Sequence, residues 1–203
     1  MCFSDPNQGS ASADYIAENK LATKVAIIYN SSDTYSSGIY QTFATEAKAK
    51  GLDVVAAEAF TADNKTDFSV QIQKAKDAGA ELVFLPIYYQ EASLILAQAN
   101  KAGFTPKWFG CDGMDGILDL DGFDANLAEN LMFLTPFTAN ATDEATQKFV
   151  ADYKEAFGDT PIQFAADAYD CVYVIKAAAE KEDVTPDKSV SDTVSYTHLR
   201  AHE

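Results

Sequence analysis

Short apolar runs and amphipathic stretches take turns along residues 11–137, and this alternation limits the available folds more than any other feature of the chain. The runs KVAIIYN (24–30), DVVAAEAF (53–60), ELVFLPI (81–87), KWFG (107–110) and NLMFLTPF (130–137) read as strands. Most are apolar almost throughout, as expected of strands buried on both faces of a parallel sheet. Helical patterns separate them. ASADYIAENK precedes the first strand, and YSSGIYQTFATEAKAK (35–50) follows it, closed by Gly51. Thr66 is placed to cap a helix with Phe68, Ile72 and Ala75 on one face and Gly79 as its stop. EASLILAQANKAG is the next helix, closed by Gly103. The rhythm predicts an α/β fold, a doubly wound parallel sheet with helices on both faces.

After Phe137 the rhythm changes. Thr142 is placed to cap a helix carrying Phe149, Tyr153 and Phe157, ended by Gly158. A second helix carries Phe164, Ala168, Cys171, Ile175 and Ala179 on one stripe. No strand pattern follows, so two amphipathic helices are left without a sheet to cover, and their aromatic residues are expected to be exposed or to pack opportunistically.

The last ten residues, VSYTHLRAHE, hold both histidines, His198 and His202, and the only arginine, Arg200. The string looks like a translated sequencing-adapter oligonucleotide, and Val194–Glu203 is set aside as an artefact of assembly. The body of the chain then contains no histidine, the commonest general base and metal ligand. Neither a glycine-rich phosphate loop nor a GxSxG elbow is present. An enzyme is therefore not expected, and no catalytic residue or cofactor is assigned. A net charge of −16 opposes binding to nucleic acid or to anionic membrane surfaces. No apolar stretch approaches the roughly 20 residues of a membrane-spanning helix. Cys2, Cys111 and Cys171 are odd in number and widely spaced, which suggests neither a zinc site nor a disulfide framework. Asp115, Asp119, Asp121 and Asp124 do not have the spacing of a calcium loop and read as a solvated face, so no metal is assigned.

In an open parallel sheet, ligands bind beyond the carboxyl ends of the strands. The first strand leads into NSSDTYSSG, which offers Tyr35 at a helix start. The third leads into PIYYQEA, with Tyr88 and Tyr89; alternation assigns Tyr88 to the site and Tyr89 to packing. The fourth ends in FGCDGMDG, where Asp112 stands between Gly110 and Gly113. An acid at a strand end can be a turn residue, a metal ligand, a catalytic group or a hook for a cation. Beside aromatic rings it suits a small ligand with an apolar part and an ammonium group. Cys111 reads as a small buried residue, since no base is at hand to activate it.

The segments FSDPNQGSASADYI, KVAIIYNSSDTYSSGIYQTF, DFSVQIQKAKDAGAELVFLPIYYQEASLILAQANKAG and FGCDG, in this order, resemble the leucine/isoleucine/valine-binding proteins. These are type 1 solute-binding proteins of ATP-binding-cassette amino-acid importers. The resemblance runs from about Cys2 to about Thr185. It implies a protein of two α/β lobes closing over an amino acid, with this chain supplying the second lobe as residues 1–135. Residues 136–185 would be a return crossing, LTPFTAN, plus two helices of a truncated first lobe, and residues 186–203 a tail. FSDPNQG resembles the first crossing, which would make Met1 an internal position. The resemblance implies Tyr35, Tyr88 and Asp112 as ligand-binding residues, and Phe164 as an aromatic near the side-chain pocket. It also implies a branched-chain or other aliphatic amino acid as ligand and a membrane permease as partner. The location would be extracytoplasmic, periplasmic or lipid-anchored, with no export signal in these residues to say which. A ligand-binding sensory domain of a receptor or regulator, built on the same fold, is the alternative.

Overall fold

The computed structural model describes residues 4–181. Cys2, Met1 and the adapter-like tail lie outside the described residues. The chain divides into two compact units, Phe3–Pro136 and a second that begins at Phe137.

The first unit is a five-stranded sheet flanked by four helices. In chain order these are α1 (Asp5–Glu18), β1 (Lys24–Asn30), α2 (Thr34–Ala49), β2 (Asp53–Phe60), α3 (Ser69–Asp77), β3 (Leu82–Leu85), α4 (Tyr89–Lys101), β4 (Lys107–Gly110) and β5 (Leu131–Phe133). All strand pairs are parallel, in the order β2-β1-β3-β4-β5. The sequence alternation settles which face each residue covers. Val25, Ile27, Leu82, Phe84 and Phe109 point to one side and pack on Ala13 and Ile16 of α1 and on Ile39 and Phe43 of α2. Ala26, Ile28, Val83, Leu85 and Trp108 point to the other and pack on Ile72 of α3 and on Ile95 and Leu96 of α4. Both faces are thus covered, as a parallel sheet requires. On the first face the rings of Phe43 and Phe84 stack with centroids 4.0 Å apart.

Several boundaries differ from the sequence pattern, each for a local reason. Helix α1 starts at Asp5, not near residue 11. FSDPNQG resembles a crossing, yet Pro suits the first turn of a helix, where its missing N–H costs nothing. Gly9 is retained because α1 and α2 cross closely there. A Cβ on Gly9 would stand 2.5 Å from the Ile39 carbonyl oxygen and 2.8 Å from the Phe43 nitrogen. The start of α3 is not capped by Thr66. Gln98 of α4 instead accepts from the Phe68 N–H (2.8 Å) and donates to the Thr66 carbonyl (2.9 Å). Strand β3 ends at Leu85, so Pro86 and Ile87 lead directly into α4, which begins two residues before Glu91. Strand β5 is three residues long, and short 3-10 turns at Asp112–Met114, Ile117–Asp119 and Ala125–Ala128 fill the connection from β4.

The second unit contains α5 (Glu144–Phe157) and α6 (Gln163–Lys181). Asp143, not Thr142, caps α5, accepting from the Thr146 N–H at 2.8 Å. Gly158 ends it in the left-handed region, φ 74°. Phe149 is the aromatic hub of this unit, packed against Phe137, Tyr153 and Tyr169. Phe157 is 70% exposed, and Val172, Tyr173 and Ile175 are also exposed.

The two helical glycines of the α1–α2 pair provide a paired stability test. Gly9→Ala is expected to lower unfolding stability by about 1–3 kcal/mol, because backbone atoms must move to admit the methyl group. Gly38→Ala, with nothing within 4 Å of its Cβ, is expected to raise stability by about 0.5–1 kcal/mol through helix propensity. Urea unfolding followed by the fluorescence of Trp108, the single tryptophan, measures both. Equal effects of the two substitutions would contradict the close crossing.

Candidate functional site

Because the strands are parallel, the segments that follow β1, β3 and β4 emerge at one edge of the sheet. The strand order reverses between β1 and β3. Helix α2 leaves β1 for one face and α4 leaves β3 for the other, which opens a crevice between their starts.

Tyr35 is the second residue of α2. Its backbone is fixed by Asp33, the N-cap, whose carboxylate accepts from the Tyr35 and Ser36 N–H groups. Buried Ser36 ties this helix start to the strand, its Oγ accepting from the Asn30 N–H at 2.8 Å. The Tyr35 side chain reaches across the sheet edge to the β4 loop. Its Oη donates to Asp112 Oδ1 at 2.6 Å and accepts from the Gly113 N–H at 3.0 Å. Tyr88, the N-cap of α4, stacks on it with ring centroids 4.9 Å apart and 25° between planes. Tyr88 is 40% exposed, whereas Tyr89 packs against the core. Asp112 is 7% exposed, and its N–H donates to Gln8 Oε1 of α1 at 3.0 Å.

Gly113 is explained by these contacts. A Cβ there would lie 2.9 Å from Tyr35 Oη, 2.9 Å from the Ile87 carbonyl oxygen and 3.2 Å from the Tyr88 ring. The glycine makes room for Tyr35, Tyr88 and the Ile87 backbone. Cys111 is fully buried, and burial pushes its thiol far above the ordinary range, which removes it as a nucleophile.

The field at this edge is negative. The Asp5 carboxyl is raised above its ordinary value by burial and by the charges of Asp112 and Asp33. The Tyr35 phenol is pushed far above its ordinary value by burial first, then by Cys111 and by its bond to Asp112. Tyr88 is raised by burial and by Asp33, Asp112, Asp5 and Glu91. Both phenols therefore remain neutral donors at physiological pH, and the carboxylates favour a cationic partner. The negative groups are not a metal cluster: among the described residues no three such side chains converge to hold an ion.

Three of the four sequence-predicted residues, Tyr35, Tyr88 and Asp112, come together here. Phe164 belongs to the other unit, near the start of α6, and is partly exposed. Sequence reasoning missed Asp5, Asp33 and Gln8. A signal for Asp33 exists, since an acid just before TYSS is an N-cap pattern. For Gln8 the signal is periodicity: residues 8, 12 and 16 form the buried stripe of α1.

Tyr35→Phe removes an acceptor from the Gly113 N–H and a donor from Asp112. It is expected to cost about 1–3 kcal/mol of unfolding stability, measured by urea titration of Trp108 fluorescence. A loss below about 0.5 kcal/mol would mean that the two bonds exchange freely with water.

Comparison with known proteins identifies the relatives of this chain. The model of a family described as periplasmic binding protein matches residues 1–196. Leu/Ile/Val-binding protein homolog 3 of Brucella melitensis is 29% identical over 191 residues, covering 93% of this chain and 50% of that protein. The crystal structure of the leucine binding protein LivK from Thermotoga maritima has a TM-score of 0.82 at 27% identity, covering 97% of this chain and 55% of that one. The branched-chain amino acid transporter substrate binding protein LivJ from Streptococcus pneumoniae, in complex with isoleucine, has a TM-score of 0.83 at 28% identity, covering 96% and 54%. The chain spans about half the length of these relatives. Since the family model matches almost all of it and the sheet follows that of LivK and LivJ, this chain belongs to the periplasmic binding protein family, whose members bind solutes and are not enzymes.

Proposed function

We propose that residues 1–135 are the second ligand-binding lobe of a solute-binding component of an ATP-binding-cassette importer, and that its ligand is a small aliphatic amino acid. The observation that carries this reading is the Asp112 carboxylate, held by the Tyr35 hydroxyl beside two stacked tyrosine rings at the carboxyl edge of the sheet. One Asp112 oxygen accepts from Tyr35, and a carboxylate has further lone pairs to receive an ammonium. The rings give the ligand's apolar part a surface, and their faces favour its positive charge. Asp5 and Asp33 add to the attraction without a direct bond. The likeness to a leucine binding protein and to an isoleucine complex supports the choice of ligand.

On this reading the ligand's carboxylate is held by a first lobe. Helices α5 and α6 belong to that lobe, which accounts for exposed Phe157, Val172 and Ile175. The partner is the importer's membrane permease, and the location is extracytoplasmic. Among the described residues no helix is long and apolar enough to cross a membrane.

Calorimetric titration with leucine, isoleucine, valine and alanine tests the reading on a protein extended to the full length of its relatives. At least one is expected to bind, and Asp112→Asn is expected to weaken it about tenfold or more, the value of a hydrogen bond to a charged group. No binding by any of the four overturns the ligand assignment.

The raised Asp5 carboxyl gives a second expectation. Above its folded pKa, Asp5 is ionised and attracts the ammonium. As pH falls through that pKa, which lies above the ordinary 3.8, the attraction is lost. Affinity should therefore fall between neutral pH and about pH 4, the carboxylate range, and Asp5→Asn should flatten the upper part of that fall. An affinity that rises on acidification would remove Asp5 from the site.

A further inference from the structure

Gln8 is 1% exposed, yet its amide is only half used. Its Oε1 accepts from the Asp112 N–H, while its Nε2 finds no acceptor among the described residues. The orientation is settled by chemistry. Exchanging the two amide atoms would set a donor against the Asp112 N–H. A buried amide with one orphaned end costs stability, on the order of 1–3 kcal/mol. An apolar side chain of similar size would fill the same place on the stripe formed with Ser12 and Ile16 at lower cost. Packing alone therefore does not account for a glutamine here.

Its contact does. The loop from Cys111 to Met114 carries the ligand-facing carboxylate. Ser12 Oγ of α1 lies 3.9 Å from Cys111 Sγ, and three shorter hydrogen bonds hold Asp112 and Gly113 to the helices beside them. Tyr35 Oη takes two of them, the Asp112 carboxylate and the Gly113 N–H. Gln8 takes the third, the Asp112 N–H itself. Within the 3-10 turn the Asp112 carbonyl accepts from the Asp115 N–H at 3.1 Å. Gln8 holds the other side of the residue, its N–H, and so ties the peptide that carries the carboxylate to α1. The fixing group comes from α1, a rigid helix whose close crossing with α2 is enforced at the adjacent Gly9.

We propose that Gln8 is a positioning residue for Asp112, acting through the Asp112 backbone and not on the ligand. The proposal rests on the reading of Asp112 as the ligand-facing acid. Its test, however, uses no ligand, so its failure is separable from a failure of the calorimetric titrations.

Amide hydrogen exchange of the 203-residue chain is followed by NMR for the native protein, for Gln8→Met and for Gln8→Glu. Methionine keeps the size of the side chain and removes the acceptor. Glutamate keeps an acceptor at the same reach. In Gln8→Met the Asp112 and Gly113 amides are expected to exchange about tenfold faster, while amides of β1 and β3 stay within about twofold of native. Gln8→Glu is expected to restore the protection of Asp112. The proposal is overturned if the Asp112 rate in Gln8→Met equals the native one. It is overturned equally if all amides accelerate together, which marks a structural role only, or if Gln8→Glu fails to restore protection.

Discussion

In a parallel sheet each segment that follows a strand emerges at the same edge, and the rest of this structure depends on that constraint. The strand order β2-β1-β3-β4-β5 adds a second one, because the chain winds away from the β1–β3 boundary in opposite senses. Helices α2 and α4 then start on opposite sides of a shared crevice. Tyr35 and Tyr88, far apart in sequence, face each other because each opens one of those helices. The hydrophobic alternation that builds the two cores therefore also fixes the site. Every strand residue that points to one core determines where the following loop begins.

Within the site the Tyr35 hydroxyl is the junction. It donates a hydrogen bond to Asp112 and accepts one from the Gly113 N–H, so one atom fixes both the charge and the backbone of the β4 loop. Burial and neighbouring negative charge keep that phenol protonated, which is what allows it to donate. Asp5 and Asp33 surround the junction with further negative charge, though Asp33 also serves as the cap of α2. A group needed to start a helix thus contributes to the field that would attract an ammonium.

The sheet, its five strands and their flanking helices were legible because strands buried on both faces leave unbroken apolar runs and helices leave a 3.6-residue stripe. Tyr35, Tyr88 and Asp112 were legible for the same reason, each standing just beyond the end of a run. What was not legible depends on partners distant in sequence. Thr66 looked like a cap, but Gln98 from the neighbouring helix satisfies that end. FSDPNQG resembles a crossing between lobes, and nothing local reveals that it opens a helix in which Gly9 faces another helix at close range. The roles of Asp5 and Gln8 depend on that helix. Phe164 was singled out through family resemblance, and the geometry of its own unit gives it no independent role.

The bond from Asp112 to Gln8 closes a gap of 104 residues in the chain. The glutamine leaves the ribosome before its partner. At roughly 5–20 residues per second, synthesis of the intervening segment takes on the order of 5–20 s. For most of that interval α1 and α2 can pair, but β3 and then β4 are still to come to cover Phe43 and Ile27, and the Gln8 carbonyl oxygen lacks its Asp112 partner. The most local part of the fold therefore waits for the least local one. The last strands to emerge complete the sheet and bring the acid to its support, and a nascent chain halted before β4 carries Tyr35 without the carboxylate it serves.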